Sequence, residues 1–170
     1  KLAEAELYHR AHHDDLTGLP NRVLLLERIR AATDPIGDSL AAALFLLDVD
    51  EFKLVNDTHG HATGDVLLRL VSARLRQALR DDDTVARLGG DEFVVLCPGV
   101  VDEADARAIA EKIQSALAPP FELGPDLRYY VHATIGIALG APGADPQRLL
   151  ADADAAMYVT KRHSPGGVGV

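Results

Sequence analysis

One cysteine in 170 residues rules out any disulfide within the chain. Cys97 ends the apolar run Phe93-Val94-Val95-Leu96-Cys97, where a buried and inert thiol is expected, and such usage fits a reducing compartment. No apolar run is long enough to cross a bilayer, and no signal-peptide pattern is present. The seven histidines are scattered, and His12-His13 and His59-x-His61 lack the Cys or His partners of a zinc site. No Gly-x-x-x-x-Gly-Lys-Ser/Thr stretch occurs, so any triphosphate would have to be held by other means. Basic residues are scarce: 17 Lys and Arg stand against 26 Asp and Glu, a net charge of −9 that argues against a nucleic-acid scaffold. Repeats and low-complexity tracts are missing as well. The only methionine is Met157 and the chain begins at Lys1, as expected of a piece of a longer protein. Arginine outnumbers lysine 13 to 4, which hints at a GC-rich genome and says nothing of mechanism.

What is there suits one folded domain: 170 residues, 48% of them apolar. Residues 1–14 are polar and helix-permissive, as the tail of a helix from an upstream domain would be. Asp15 to Arg22 holds Gly18 and Pro20 and predicts a turn, followed by a helix over Val23 to Ala32. Leu40 to Leu47 predicts a buried strand. Thr63-Gly64-Asp65 is expected to precede an amphipathic helix carrying Leu67, Val71, Leu75 and Ala78 and ending near Arg80. Thr84 to Leu88 and Phe93 to Cys97 predict a hairpin turning at Gly89-Gly90. A helix capped by Asp102 follows and runs to Leu117. Phe121 to Leu123 and Leu127 to Leu139 read as two strands, and Asp145-Pro146 opens a last helix reaching Lys161. This order predicts α/β architecture: a mixed central sheet with an antiparallel hairpin, flanked by helices.

Chemistry concentrates in two stretches. Gly89-Gly90 offers a turn without side chains, where another molecule's phosphates can approach, and Asp91 and Glu92 follow at once. The strand ending in Asp48-Val49-Asp50 runs into Glu51-Phe52-Lys53, a turn that opens a short helix whose free N–H groups can hold anionic oxygens. On neighbouring strand ends, Asp48 and Asp91 would converge, and two hard carboxylates beside phosphate oxygens suit Mg²⁺, with Mn²⁺ able to stand in. The plain alternatives are a glycine hairpin with solvated acids, and Asp48 as a helix N-cap.

Asp15-Leu16-Thr17-Gly18-Leu19-Pro20-Asn21-Arg22, the Asp48 to Asp65 segment and Gly89-Gly90-Asp91-Glu92-Phe93, in this order and spacing, resemble the GGDEF-domain diguanylate cyclases over essentially the whole chain. The resemblance implies a nucleotide-cyclase or palm-like domain over residues 15–163, with residues 164–170 as a C-terminal linker. It implies condensation of two GTP molecules into cyclic di-GMP on a homodimer, in the cytoplasm or on the cytoplasmic part of a membrane-anchored protein. An upstream sensor and a downstream phosphodiesterase domain are the neighbours that such a domain implies.

The site residues implied by the resemblance are these. The Asp48 and Asp91 carboxylates and the Val49 carbonyl hold the metal, and the Phe52 and Lys53 amides hold phosphate. Asn56 and Asp65, with His61 close by, meet the guanine edge. Gly89 and Gly90 admit the substrate, and Glu92 orients the metal site, assists deprotonation of the attacking hydroxyl or is structural. Lys161 grips the triphosphate, but Pro165 stands where the family usually has a second cation. Arg80-x-x-Asp83, five residues before Gly89, has the spacing of the family's product-inhibition site. Its ordinary reading is an ion pair at a helix end. A different class of function also fits, a non-catalytic module that binds GTP or cyclic di-GMP and regulates an attached domain.

Overall fold

The computed structural model describes residues 1–36 and 41–170. Its central strand, β1 (Ala42–Val49), is buried at all eight positions. The reason is that it has neighbours on both edges and layers on both faces. It pairs antiparallel with β3 (Glu92–Pro98) on one side and with β6 (Ala133–Gly140) on the other. With β2 (Thr84–Gly89) and β7 (Val168–Gly169) the sheet order is β2-β3-β1-β6-β7, mixed because β7 runs parallel to β6.

Strand alternation sorts the core. Ala43, Phe45, Leu47 and Val49 share a cluster with residues of α3 (Phe52–His59), α4 (His61–Ala78) and α5 (Glu103–Leu117), among them Val55, Leu67, Val71 and Ile113. Ala42, Leu44 and Leu46 share another with Leu25 and Ile29 of α2 (Arg22–Ala32) and with Leu149, Ala153 and Met157 of α6 (Pro146–His163). A strand clad this way has no polar face, which is why its sequence is an unbroken apolar run. Phe45 is fully buried at its centre, and truncating it to Ala would cost about 3–5 kcal/mol. Gly136 lets α6 lie close on β6, since a Cβ there would stand 2.2 Å from the Ala153 carbonyl oxygen.

Local chemistry sets the helix starts. Asn21 Oδ1 accepts from the Leu24 N–H at 3.2 Å to cap α2, and Asp102 accepts from the Asp105 N–H at 2.8 Å to cap α5. Losing either cap would cost about 1 kcal/mol. Pro146 occupies the first turn of α6. Ahead of these stands α1 (Leu2–His12), which buries no residue.

Several sequence expectations shift. The strand expected from Leu40 begins at Ala42 among the described residues, and Leu40 lies outside them. The helix expected after Thr63-Gly64-Asp65 already begins at His61, behind Gly60, and ends at Ala78. Asp65 is therefore inside the helix and does not cap it. Gly89 belongs to β2 and pairs with Glu92, so the turn residues are Gly90 and Asp91; Gly90 takes the positive φ of 51°. The run from Leu127 to Leu139 breaks at 130–132. Its first part, β5 (Leu127–Tyr129), forms a separate ribbon with β4 (Phe121–Gly124), and the rest is β6. Within the segment expected to be a linker, Val168 and Gly169 add to the sheet edge beside Ile135 and Gly136.

Candidate active site

The carboxyl end of β1 and the β2–β3 turn meet. Asp48 stands opposite Glu92 on one side and Thr134 on the other, and the Val49 N–H donates to the Asp91 carbonyl at 3.2 Å. That backbone bond fixes the turn against the strand end and brings the Asp48 and Asp91 carboxyl groups together. Burial, and then the adjacent Asp48 carboxylate, push Asp91 up to about 7. Asp48 is 8% exposed, and its Oδ1 is a buried oxygen without a donor among the described residues. Glu92 is also raised, by burial first and then by Asp154 and Asp48.

A lysine answers this charge. The Lys161 ammonium, from the last turn of α6, pairs with Asp48 Oδ2 and lies 3.9 Å from Asp50 Oδ1. Burial works to lower its pKa, but Asp48, Asp50 and Asp91 outweigh that and leave it above the usual lysine value. Among the described residues no three His, Cys, Asp or Glu side chains cluster as a closed metal site. Two adjacent carboxylates, one with an orphaned buried oxygen, still fit an oxygen-seeking cation that takes its other ligands from carbonyl, phosphate and water.

The phosphate-side expectation rests on α3. Glu51 precedes it at φ 59°, and no side chain caps its amino end. Phe52 is buried beneath while Lys53 is exposed, so the turn presents amides on an apolar footing. At the other end of α3, Asn56 lies against Gly64 of α4, and Asn56 Oδ1 is buried without a hydrogen-bond partner among the described residues. Asp65, half-buried, follows Gly64, and exposed His61 opens the same helix. The α3–α4 corner thus gathers the residues expected to meet a base. Beyond Lys161, a cleft of about 370 Å³ is lined by Asp50, Glu51, Tyr129, Tyr130, His132 and Pro165.

Arg80 and Asp83 sit apart, at the open end of the hairpin, where Thr84 pairs with Leu96. Asp83 accepts from the Arg80 N–H at 3.0 Å, and its Oδ1 is 3.5 Å from Arg80 Nη2. So they do close the turn after α4, as the ordinary reading has it. Yet the Arg80 side chain is 65% exposed and borders two clefts, one with His13, Arg28 and Arg76, the other with Asp105 and Lys112.

Sequence reasoning gave no role to three residues that hold the site. Arg87 donates to the Gly90 carbonyl from Nε at 3.1 Å and from Nη2 at 2.8 Å. It also meets Asp14, which accepts from the Thr17 N–H and hydroxyl. Thr134 bonds Asp50 from the neighbouring strand. An Asp-x-x-Thr turn signal was legible at Asp14, but its partner 73 residues away was not.

Comparison with known proteins gives a consistent answer. The family model described as diguanylate cyclase, GGDEF domain, matches residues 11–165. Diguanylate cyclase TpbB of Pseudomonas aeruginosa (strain UCBPP-PA14) is 45% identical over 95% of this chain, which spans only 38% of that relative. The bifunctional diguanylate cyclase/cyclic di-GMP phosphodiesterase MucR of Pseudomonas aeruginosa PAO1 is 42% identical over 97% of this chain and 24% of its own length. A solved structure of the TpbB GGDEF domain, from Pseudomonas aeruginosa PAO1, superposes with a TM-score of 0.86 at 43% identity, covering 93% of each chain.

Proposed function

This chain belongs to the GGDEF diguanylate cyclase family, and from that premise we propose that it condenses two GTP molecules into cyclic di-GMP, releasing two pyrophosphates. The observation that carries the reading is the meeting of Asp48 and Asp91 at the hairpin turn, with the Asp91 carboxyl pushed up to about 7. Two adjacent, largely buried acids are poorly satisfied by the protein alone and well satisfied by a divalent cation. Asp48, Asp91 and the Val49 carbonyl would hold Mg²⁺, or Mn²⁺, which would supply charge stabilisation at the reacting phosphate.

The chain's own groups do the rest. The Phe52 and Lys53 amides receive phosphate oxygens, and the Lys161 ammonium exchanges carboxylate for phosphate partners. Asp65 accepts from the guanine N1–H and N2–H₂, and Asn56 donates and accepts nearby with His61 beside them; adenine would leave Asp65 unpaired. Gly89 and Gly90 keep the approach clear, and Glu92 faces the attacking ribose hydroxyl. Each chain binds one GTP, so two chains must appose their hairpins, and turnover should rise steeply with protein concentration. Arg80 and Asp83 bind the product away from this centre and slow further turnover. GTP as substrate puts the domain in the cytoplasm.

A second reading keeps the same ligands without turnover: a regulatory module on a phosphodiesterase. Pro165 favours it, because it stands where the family usually has a second cation to grip the triphosphate. Purified protein incubated with GTP and Mg²⁺, with products resolved by chromatography, decides between them. Cyclic di-GMP that disappears with chelator supports the enzyme, whereas bound but unchanged GTP at high protein concentration supports the module.

A further inference from the structure

Lys161 lies between two carboxylates, those of Asp48 and Asp50. Its second carboxylate, Asp50, is 3.9 Å from the ammonium and has another claim on it. The Thr134 hydroxyl, directly across the sheet from Asp48, shares its one proton between Asp50 Oδ1 at 3.0 Å and Oδ2 at 3.1 Å. The same oxygen accepts from the Gly166 N–H at 2.9 Å, and the Gly166 carbonyl accepts from Gln114 Nε2 at 2.8 Å. Thr134 is fully buried. Its hydroxyl is therefore spoken for on both sides, and no water is needed to satisfy it.

We infer that Thr134 is a positioning residue for Lys161: its hydroxyl holds Asp50 back, which leaves the ammonium free to serve Asp48 and incoming phosphate. This rests on the reading of Lys161 as a phosphate-binding cation. The physical logic is competition for donors. The Asp50 side chain is 14% exposed, so water reaches little of its carboxylate. Deprived of the hydroxyl, it must take another donor, and the Lys161 ammonium is beside it. The ammonium would then close on Asp50 and be less free for Asp48 and for an incoming phosphate. Ser164 to Gly167, beyond α6, is part of the same device, since Gly166 orients the hydroxyl whose proton Asp50 receives.

The test uses a GTP analogue with an α,β-methylene bridge, which binds but cannot be cleaved, and calorimetry on the whole chain with Mg²⁺. Thr134→Val removes the hydroxyl at nearly constant size and should weaken binding about tenfold, the worth of one hydrogen bond to a charged group. Thr134→Ser keeps the hydroxyl and should bind like the parent. In a Lys161→Ala background, Thr134→Val should cost nothing further, because its effect passes through the lysine. With GTP itself the loss should fall on KM and spare kcat, whereas a merely loosened fold would lower the active fraction and hence kcat. Parental affinity in Thr134→Val, or an equal loss with and without Lys161, would overturn the inference. Should Thr134→Val not fold, as judged by circular dichroism, Thr134→Ala carries the same comparisons. A parent that binds the analogue yet makes no product from GTP contradicts the enzymatic reading alone and leaves the binding comparison standing.

Discussion

Arg87 Nη1 donates to Asp14 Oδ1 at 2.7 Å, and both side chains are largely shielded from solvent. The same guanidinium holds the Gly90 carbonyl, so one residue ties the N-terminal turn to the turn that carries Asp91. A planar fork with five donors can do this, and a lysine cannot. Arg87→Lys and Asp14→Ala should each destabilise the fold by about 2–3 kcal/mol, the range for charged hydrogen bonds lost from a shielded site. Urea unfolding of both single variants and the double variant checks it. Strictly additive losses would mean that the two residues do not act as a pair.

Asp91 makes stability depend on pH in an unusual direction for an acid. Its folded value, about 7, lies above the ordinary 3.8, so the folded state holds the proton more tightly. The contribution is complete below about 4 and is lost as pH rises through about 7. Raised Asp50 and Glu92 act in the same sense. In chelator, the parent's melting temperature should therefore fall between pH 5 and pH 8 by more than that of Asp91→Asn. Mg²⁺ should bind more tightly as pH rises through the same window, since the proton must leave first. Identical pH profiles for the two proteins would contradict the shift.

At Gly64 a methyl group should weaken base recognition with little harm to the helix. A Cβ there would stand 1.8 Å from Asn56 Oδ1 and 3.2 Å from Phe52 Cζ. Alanine otherwise favours a helix over glycine by up to about 1 kcal/mol. Gly64→Ala should keep a melting temperature close to the parent's while GTP affinity, read by calorimetry, drops at least about tenfold. Parental affinity would remove Asn56 from the base site.

Product control is tested at Arg80, whose guanidinium is exposed while its Asp83 partner is buried. Asp83 keeps the Arg80 backbone N–H when the exposed guanidinium is removed, so Arg80→Ala should fold. It should lose cyclic di-GMP binding in calorimetry and keep full turnover as product accumulates. Equal affinity in the two proteins would reduce Arg80 and Asp83 to a helix ending.

The sheet and its layers were legible because their signals are local. The unbroken run from Leu44 to Leu47 needs both faces covered, Asp102 caps its helix, and Pro146 marks the start of the last helix, where Asp145 makes no side-chain cap bond. The base corner was legible only by resemblance, and the helix start there was misread because Gly60 breaks the chain without a polar cap. The break at 130–132 carries no Gly or Pro, so nothing local marks it. Asp14 with Arg87, and Thr134 with Asp50, are contacts across 73 and 84 residues. No periodicity encodes such pairings; they exist only once the sheet has formed.

The measurement that bears most directly on the central claim compares the parent with Asp91→Asn under the same conditions: protein at several concentrations, GTP and Mg²⁺, with nucleotides resolved over time. The parent should convert GTP to cyclic di-GMP and pyrophosphate, faster per molecule as its concentration rises. Asp91→Asn should remain folded and make essentially none, because the carboxylate that meets Asp48 has lost its charge. Near-parental product formation by Asp91→Asn would contradict the site, and no cyclic di-GMP from the parent at any concentration would contradict the function.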